Sequence, residues 1–310
     1  MRILYYLFYA VVWTLAWLPL SVLYLLSDFV YFLIYYVVKY RRKVVRENLI
    51  SSFPDKSLDE IVKIEKDYYL HLSDTFVETV KLIHISDECM RKHMHFSNPE
   101  EMGRHFEGGN SVVALLGHYC NWEWITSIYM NYDTTKFVGG ELYRPLKNKY
   151  FDNFFLNLRS RFGTVNIPKN DAIRFIVNMK REGKKFGLGF IADQTPSKNN
   201  LHYWTTFLNH ATPFLNGPER IAKKGDYAVV YFDVQKVKRG YYTCDVITLT
   251  DHAKETEDYW ITDRYVELFE NTIMRNPAYW LWSHRRWKHN REEAPEDAVD
   301  RPRLHTKSED

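Results

Sequence analysis

The sequence predicts an α/β fold: a single catalytic domain with a mainly parallel mixed sheet flanked by helices, preceded by an N-terminal membrane-anchoring helix. Three observations carry this. From residue 111 onward, short apolar runs of buried-strand character alternate with amphipathic helical segments, which implies crossover connections between parallel strands. Residues 3–27 hold no ionisable side chain except tyrosine. The mean hydropathy of the whole chain is nevertheless −0.42, which excludes a protein built of many membrane spans.

In chain order, the 3–27 run comes first. At ~1.5 Å per residue it is long enough, as a helix, to exceed the ~30 Å hydrocarbon thickness of a bilayer. Tyr5, Tyr6, Tyr9, Trp13, Trp17 and Tyr24 are spread along it, and Pro19 is a site for a kink. A second apolar stretch, 29–38, is too short to cross again and suits the membrane interface; Asp28 separates the two. Lys39, Arg41, Arg42, Lys43 and Arg46 follow, against the single Arg2 before the run, so the positive-inside rule places the rest of the chain in the cytoplasm. A cleavable signal peptide is disfavoured, because the run is overlong and no A-x-A-like site follows it. Residues 1–45 are therefore read as membrane anchor and basic juxtamembrane segment.

Ser57-Leu58-Asp59-Glu60 has capping-box spacing, and Ile61, Ile64, Tyr68, Leu72 and Phe76 recur near helical period. Residues 46–105 form a helical connector packed on the core. The α/β domain, 106–290, begins with the strand SVVALL at 111–116, broken by Gly117, and continues as helix 122–130, strand 136–142, helix 147–161, strand 165–167, helix 172–179 and strand 186–192. Residues 193–218 are irregular and long enough to be functional. A short helix to 224, an antiparallel pair at 227–237 and 241–249 over Arg239-Gly240, and a last helix at 258–275 complete the domain. The charged end, 291–310, is expected to be disordered.

Composition narrows the function. Forty-two Lys+Arg against 39 Asp+Glu leave a net charge of +3, which argues against a broadly basic nucleic-acid binder. The three cysteines, Cys89, Cys120 and Cys244, are scattered and contain no C-x-x-C pair, so neither a disulfide framework nor a zinc ribbon is supported; a reducing compartment fits. No metal site is expected, since the third and fourth ligands to go with His118 and Cys120 are not evident nearby.

The segment with most chemical promise is Gly117-His118-Tyr119-Cys120-Asn121-Trp122-Glu123-Trp124, directly after a buried strand, where ligand sites of open α/β sheets gather. A histidine with a carboxylate against it suits general-base work. Spacing alone is weak: His95/Glu100, His118/Glu123, His252/Glu257 and His305/Asp310 share it, and only the second follows a clear strand. On one continuous helix His118 and Glu123 would lie ~140° apart, so they meet only if His118 is in the loop and Glu123 in the first helical turn. A buried, hydrogen-bonded histidine beside a glutamate at a helix N-terminus fits the same residues. Cys120 could act as a nucleophile with His118 as its base, but an inert buried thiol is the commoner role of a lone cysteine.

Several ordered segments accompany GHYCNWEW: Arg46-Glu47-Asn48-Leu49, Tyr143-Arg144-Pro145 with Lys147-Asn148, RSRFG at 159–163, Ala192-Asp193-Gln194, Ala211-Thr212 up to Gly217, and Trp282-Ser283-His284-Arg285-Arg286-Trp287-Lys288. With the anchor, this set resembles the bacterial lipid A biosynthesis late acyltransferases of the lauroyl/myristoyl-transferase type, within the wider glycerolipid acyltransferase superfamily. The resemblance implies an O-acyltransferase of the inner membrane without a cofactor. In it His118 is the general base, Glu123 orients the ring, and Arg144 contacts substrate. Asp193 and Gln194 match the family's loop after a strand and are expected to bind substrate, with structural bracing of the loop as their other reading. Arg220, near a helix start, is a candidate anion contact, with a plain salt bridge as its other reading. The implied donor is an acyl carrier protein thioester, which Arg144, Lys147 and Lys149 could help dock because such carriers are acidic; coenzyme A stays open. The implied acceptor is a hydroxyl of a lipid A precursor, with membrane lipids as further partners. Thr195-Pro196-Ser197-Lys198-Asn199-Asn200 departs from the glycine-rich or Asp-rich stretch of other members and leaves a lysophospholipid or aminolipid acceptor open. An inactive membrane scaffold with the same fold is the reading from a different class.

Overall fold

The computed structural model describes residues 2–303. Ten α-helices and ten strands occur among them. The N-terminal part is helical: α1 (Arg2–Ala16), α2 (Leu20–Phe32) running on through a π-turn at Leu33–Val37, α3 (Arg42–Ser52), α4 (Leu58–Lys81) and α5 (Asp87–His93). Then come β1 (Met94–Phe96), α6 (Glu100–Glu107), β2 (Val112–Leu116), β3 (Phe137–Tyr143), α7 (Lys149–Arg159), β4 (Val165–Pro168), α8 (Ala172–Arg181) and β5 (Lys185–Ile191). The chain closes with β6 (Tyr203–Phe207), β7 (His210–Pro213), α9 (Gly217–Gly225), β8 (Ala228–Lys238), β9 (Tyr241–Thr250), α10 (Trp260–Arg275) and β10 (Val299–Arg301).

Seven strands form the main sheet in the order β1-β9-β8-β2-β5-β3-β4, and every neighbouring pair is parallel except the hairpin β8–β9. The expected α/β class with a mainly parallel mixed sheet is therefore the observed one. All five residues of β2 are buried, as both faces of a central parallel strand must be. β6, β7 and the short β10 make a second, three-stranded sheet.

Some local structure departs from the sequence reading, each time for an identifiable reason. The apolar 3–27 run is not one helix: it breaks at Trp17–Pro19, where Lys81 Nζ donates to the carbonyls of Ala16 (3.0 Å) and Leu18 (2.9 Å). Among the described residues, the helix long and apolar enough to cross a membrane is instead Leu20–Val37. The helix expected at 122–130 is present as Trp122–Asn131, and it is of the 3₁₀ type. Side chains there take carbonyls three residues back: Ser127 Oγ donates to Trp124 O at 2.7 Å and Asn131 Nδ2 to Ile128 O at 3.0 Å. The irregular 193–218 stretch contains the β6–β7 hairpin, turned at Leu208 and Asn209, which both have positive φ. Residues 291–303, expected to be disordered, carry β10, secured by ion pairs Arg291–Asp300 (2.7 Å) and Arg301–Asp263 (2.7 Å); 304–310 lie outside the described residues. The capping box at the start of α4 is present, with Glu60 Oε2 accepting from Ser57 N at 2.8 Å.

Candidate active site

The register of the sheet creates the site. β2 and β5 are adjacent and parallel, with Leu116 opposite Ile191. Two residues beyond each strand end stand His118 and Asp193, delivered side by side to the carboxyl edge where such folds bind ligands. Two contacts fix the end of β2: Tyr265 Oη and the backbone N–H of Ala192 both donate to Leu116 O, at 2.9 and 3.1 Å. Gly117 faces the Phe269 ring, and a Cβ there would come within 2.1 Å of it, so any larger residue would force that ring aside.

His118 Nδ1 is 2.7 Å from Asp193 Oδ1. The other carboxylate oxygen accepts from Trp280 Nε1 at 2.8 Å. Asp193 is almost fully buried, whereas the His118 side chain keeps 18% of its surface exposed. Burial works against the Asp193 charge, but the neighbouring ring and the hydrogen bonds from His118 and Trp280 outweigh it and hold the carboxyl below its ordinary range. An ionised partner at Nδ1 makes that nitrogen the N–H donor and leaves the lone pair on Nε2. Gln194 Nε2 lies 3.3 Å from it, and Trp122 packs edge-on against the ring at 5.2 Å.

Here the geometry corrects the expectation drawn from spacing. The carboxylate against the His118 ring is Asp193, 75 residues away in sequence, and no hydrogen bond joins His118 to Glu123 among the described residues. Glu123 is held by Arg159 of α7 in a two-point pair, at 2.7 and 2.9 Å. Glu141 of β3 stands 3.5 Å from the same guanidinium, and burial pushes its carboxyl up to about 7, against the pull of Arg159. The pair ties the 3₁₀ segment after His118 to α7, and such bidentate contacts are strongly directional.

The loop after Asp193 is braced by the C-terminal segment. Thr195 N donates to His284 Nε2 at 3.2 Å, and Thr195 Oγ1 to Arg286 O at 2.6 Å. Burial pushes the His284 ring down to about 4, so it is neutral and free to accept. Arg286 is buried beneath this loop, over the Phe214 ring at 4.5 Å, and donates to Pro213 O at 2.6 Å.

Of the remaining expected site residues, Arg144 and Lys147 are exposed in the loop that follows β3 at the same sheet edge, without side-chain hydrogen bonds among the described residues. Arg220 is exposed in the first turn of α9 and makes no side-chain contact with the His118–Asp193 pair. Cys120 is buried in a left-handed conformation, and burial pushes its thiol well up, which removes it as a nucleophile. Two contributors were not singled out from sequence: Arg159, which opens the RSRFG segment, and Trp280.

A histidine with one nitrogen fixed by a buried carboxylate and the other at the rim of a parallel sheet is an arrangement chemically able to take up and return a proton. Comparison with known proteins then places the chain: it belongs to the bacterial lipid A biosynthesis acyltransferase family, whose sequence profile matches residues 1–289. Among curated relatives it is similar to the lipid A biosynthesis palmitoleoyltransferase of Escherichia coli strain K12, at 22% identity over 290 residues, covering 90% of this chain and 89% of the relative. It is equally similar to the lipid A biosynthesis acyltransferase of Shigella flexneri, with the same identity and coverage.

Proposed function

We propose that the protein transfers a fatty acyl group from an acyl carrier protein thioester to a hydroxyl of a lipid A precursor, at the cytoplasmic side of the inner membrane. The observation that carries this reading is the His118–Asp193 pair at 2.7 Å with Nε2 at the sheet rim, in a chain of this family. His118 Nε2 takes the proton of the acceptor hydroxyl as its oxygen attacks the thioester carbonyl carbon. The new C–O bond forms, the C–S bond breaks, and the imidazolium returns the proton to the leaving thiolate, so no acyl-enzyme is required.

Asp193 acts through His118, holding the productive tautomer and stabilising the imidazolium. The Glu123–Arg159 pair keeps the 3₁₀ segment and α7 in place around the ring. Exposed Arg144 and Lys147, at the same edge, are suited to phosphates of the acceptor or to an acidic carrier.

The test is an in vitro assay offering acyl carrier protein and coenzyme A thioesters with purified lipid A precursor, lysophospholipid and aminolipid acceptors, read by product mass. Transfer to the lipid A precursor from the carrier thioester is expected. His118→Ala is expected to lose about 10²–10⁴-fold in rate with its fold intact, the range of a general base. Retained transfer in that variant sinks the mechanism, and product on another acceptor alone sinks the substrate assignment.

A further inference from the structure

The apolar N-terminal helices have two unlike faces. The inward face of α2 is polar at its middle and bound to the connector helix α4 and, through the β8–β9 turn, to the catalytic domain. Tyr24 Oη donates to Glu78 at 2.8 Å, Ser27 Oγ to Asp74 at 2.8 Å, and Arg239 Nη2 to Asp28 at 2.6 Å and to the Tyr24 carbonyl at 3.3 Å. Gly240, at φ +75°, lets the β8–β9 turn close on this helix, since a Cβ there would meet Tyr24 Oη at 2.0 Å. α1 is also bound to the domain: Tyr5 packs on Tyr150 at 5.0 Å, Phe8 on Phe151 at 5.3 Å and Tyr9 on Phe154 at 6.2 Å. Those partners belong to α7, the helix that ends in Arg159.

The outward face is apolar and uncovered. Val22, Leu25, Phe29, Phe32 and Tyr36 are exposed at helical period along the full length of the 20–37 helix. Most of the exposed large apolar side chains among the described residues fall before Arg41. Exposed cations bracket this surface, Arg2 at one end and Lys39, Arg41 and Lys43 at the other, while the exposed Asp28 is neutralised by Arg239. An apolar stripe flanked by cations matches a bilayer with anionic headgroups. A crossing helix would have to draw Asp74, Glu78 and Arg239 into hydrocarbon with it, because they are bound at its midpoint.

We propose that α1 and α2 bind an anionic phospholipid surface in its plane, entering one leaflet and not crossing, with the inner face of α2 locked to the catalytic domain. The inference rests on reading the chain as an enzyme that meets its acceptor at a membrane. It sets α7 and the rim of the site against the lipid surface.

The experiment uses the full-length chain with Cys89→Ser, leaving only the buried cysteines, added to preformed vesicles of phosphatidylethanolamine and phosphatidylglycerol. Spin labels are placed singly at Val22→Cys, Phe29→Cys and Tyr36→Cys, and their depth is read from oxygen and nickel accessibility. Equal depths within one leaflet are expected. Depth that rises and falls along the helix, or passes to the far leaflet, overturns the proposal. Flotation with vesicles is expected to weaken at least tenfold when phosphatidylcholine replaces phosphatidylglycerol, and failure to float at all overturns it too. No readout involves turnover, so an inactive protein that binds in plane sinks only the acyltransferase reading, and an active one that crosses sinks only this one.

Discussion

Two buried carboxylate clusters sit on either side of the segment 118–124, and they are built on opposite rules. Under α2, Glu78 accepts from Tyr24, Asn121 and both ways from Tyr242, while Asp74 is met by Ser27, Arg239 and Lys236. Every carboxylate oxygen there is hydrogen-bonded. At the sheet rim Asp193 is equally buried and equally satisfied, by His118 and Trp280, but the network ends on Nε2 of a partly exposed ring. Burial of charge therefore does not mark the reactive place in this molecule. The proposed reactive place is the one where a buried network ends on a nitrogen of a partly exposed ring.

The comparison can be broken in order of expected effect. Glu78→Ala leaves Asn121 Nδ2 and the Tyr24 and Tyr242 hydroxyls facing an empty space and Lys236 less balanced, so a loss of about 3–5 kcal/mol is expected from the urea midpoint. Asp193→Asn, by contrast, is expected to lose about 10²–10⁴-fold in acyl transfer with a much smaller change in the same midpoint. If the two variants exchanged these signatures, the distinction between a structural and a catalytic network would fall.

A smaller effect concerns Glu141. Its folded-state pKa of about 7 lies above the ordinary glutamate value of ~4.3, so the folded protein keeps the proton longer than the unfolded chain. Stability from this group is fully present below pH ~4 and is lost as pH rises through about 7. Glu141→Gln should match the parent protein at low pH and exceed it by about 1–3 kcal/mol at pH ~8, measured by urea unfolding across that range. A constant difference at all pH values would show that Glu141 is not held protonated.

Much of the fold was legible because it is local. Strand 111–116 reads as buried from its unbroken apolar run, and the alternation after it produces the parallel sheet. His118 was legible for the same reason, standing just past that strand. Its partner was not. The His118–Asp193 contact is a property of the register between β2 and β5, and nothing within a few residues of either side chain encodes it. Glu123 looked like the partner because it is near in sequence, yet Arg159 reaches it from a helix 36 residues on. The break in the N-terminal apolar run has a visible cause in Pro19, but the cation that stabilises it, Lys81, comes from α4. The strand at 299–301 escaped a reading by composition because its charges, which suggest disorder, are paired: Arg301 with Asp263 of α10, and Asp300 with Arg291 of the same segment.

The central claim, that Asp193 holds the His118 ring with its lone pair on Nε2, is tested most directly by nitrogen NMR of ¹⁵N-histidine-labelled protein, with His118 assigned by the signal lost in His118→Ala. The account predicts that the neutral form of the ring carries its proton at Nδ1 in the parent protein and in Glu123→Gln, with a redistributed tautomer in Asp193→Asn. A ring unchanged by Asp193→Asn but altered by Glu123→Gln would contradict it.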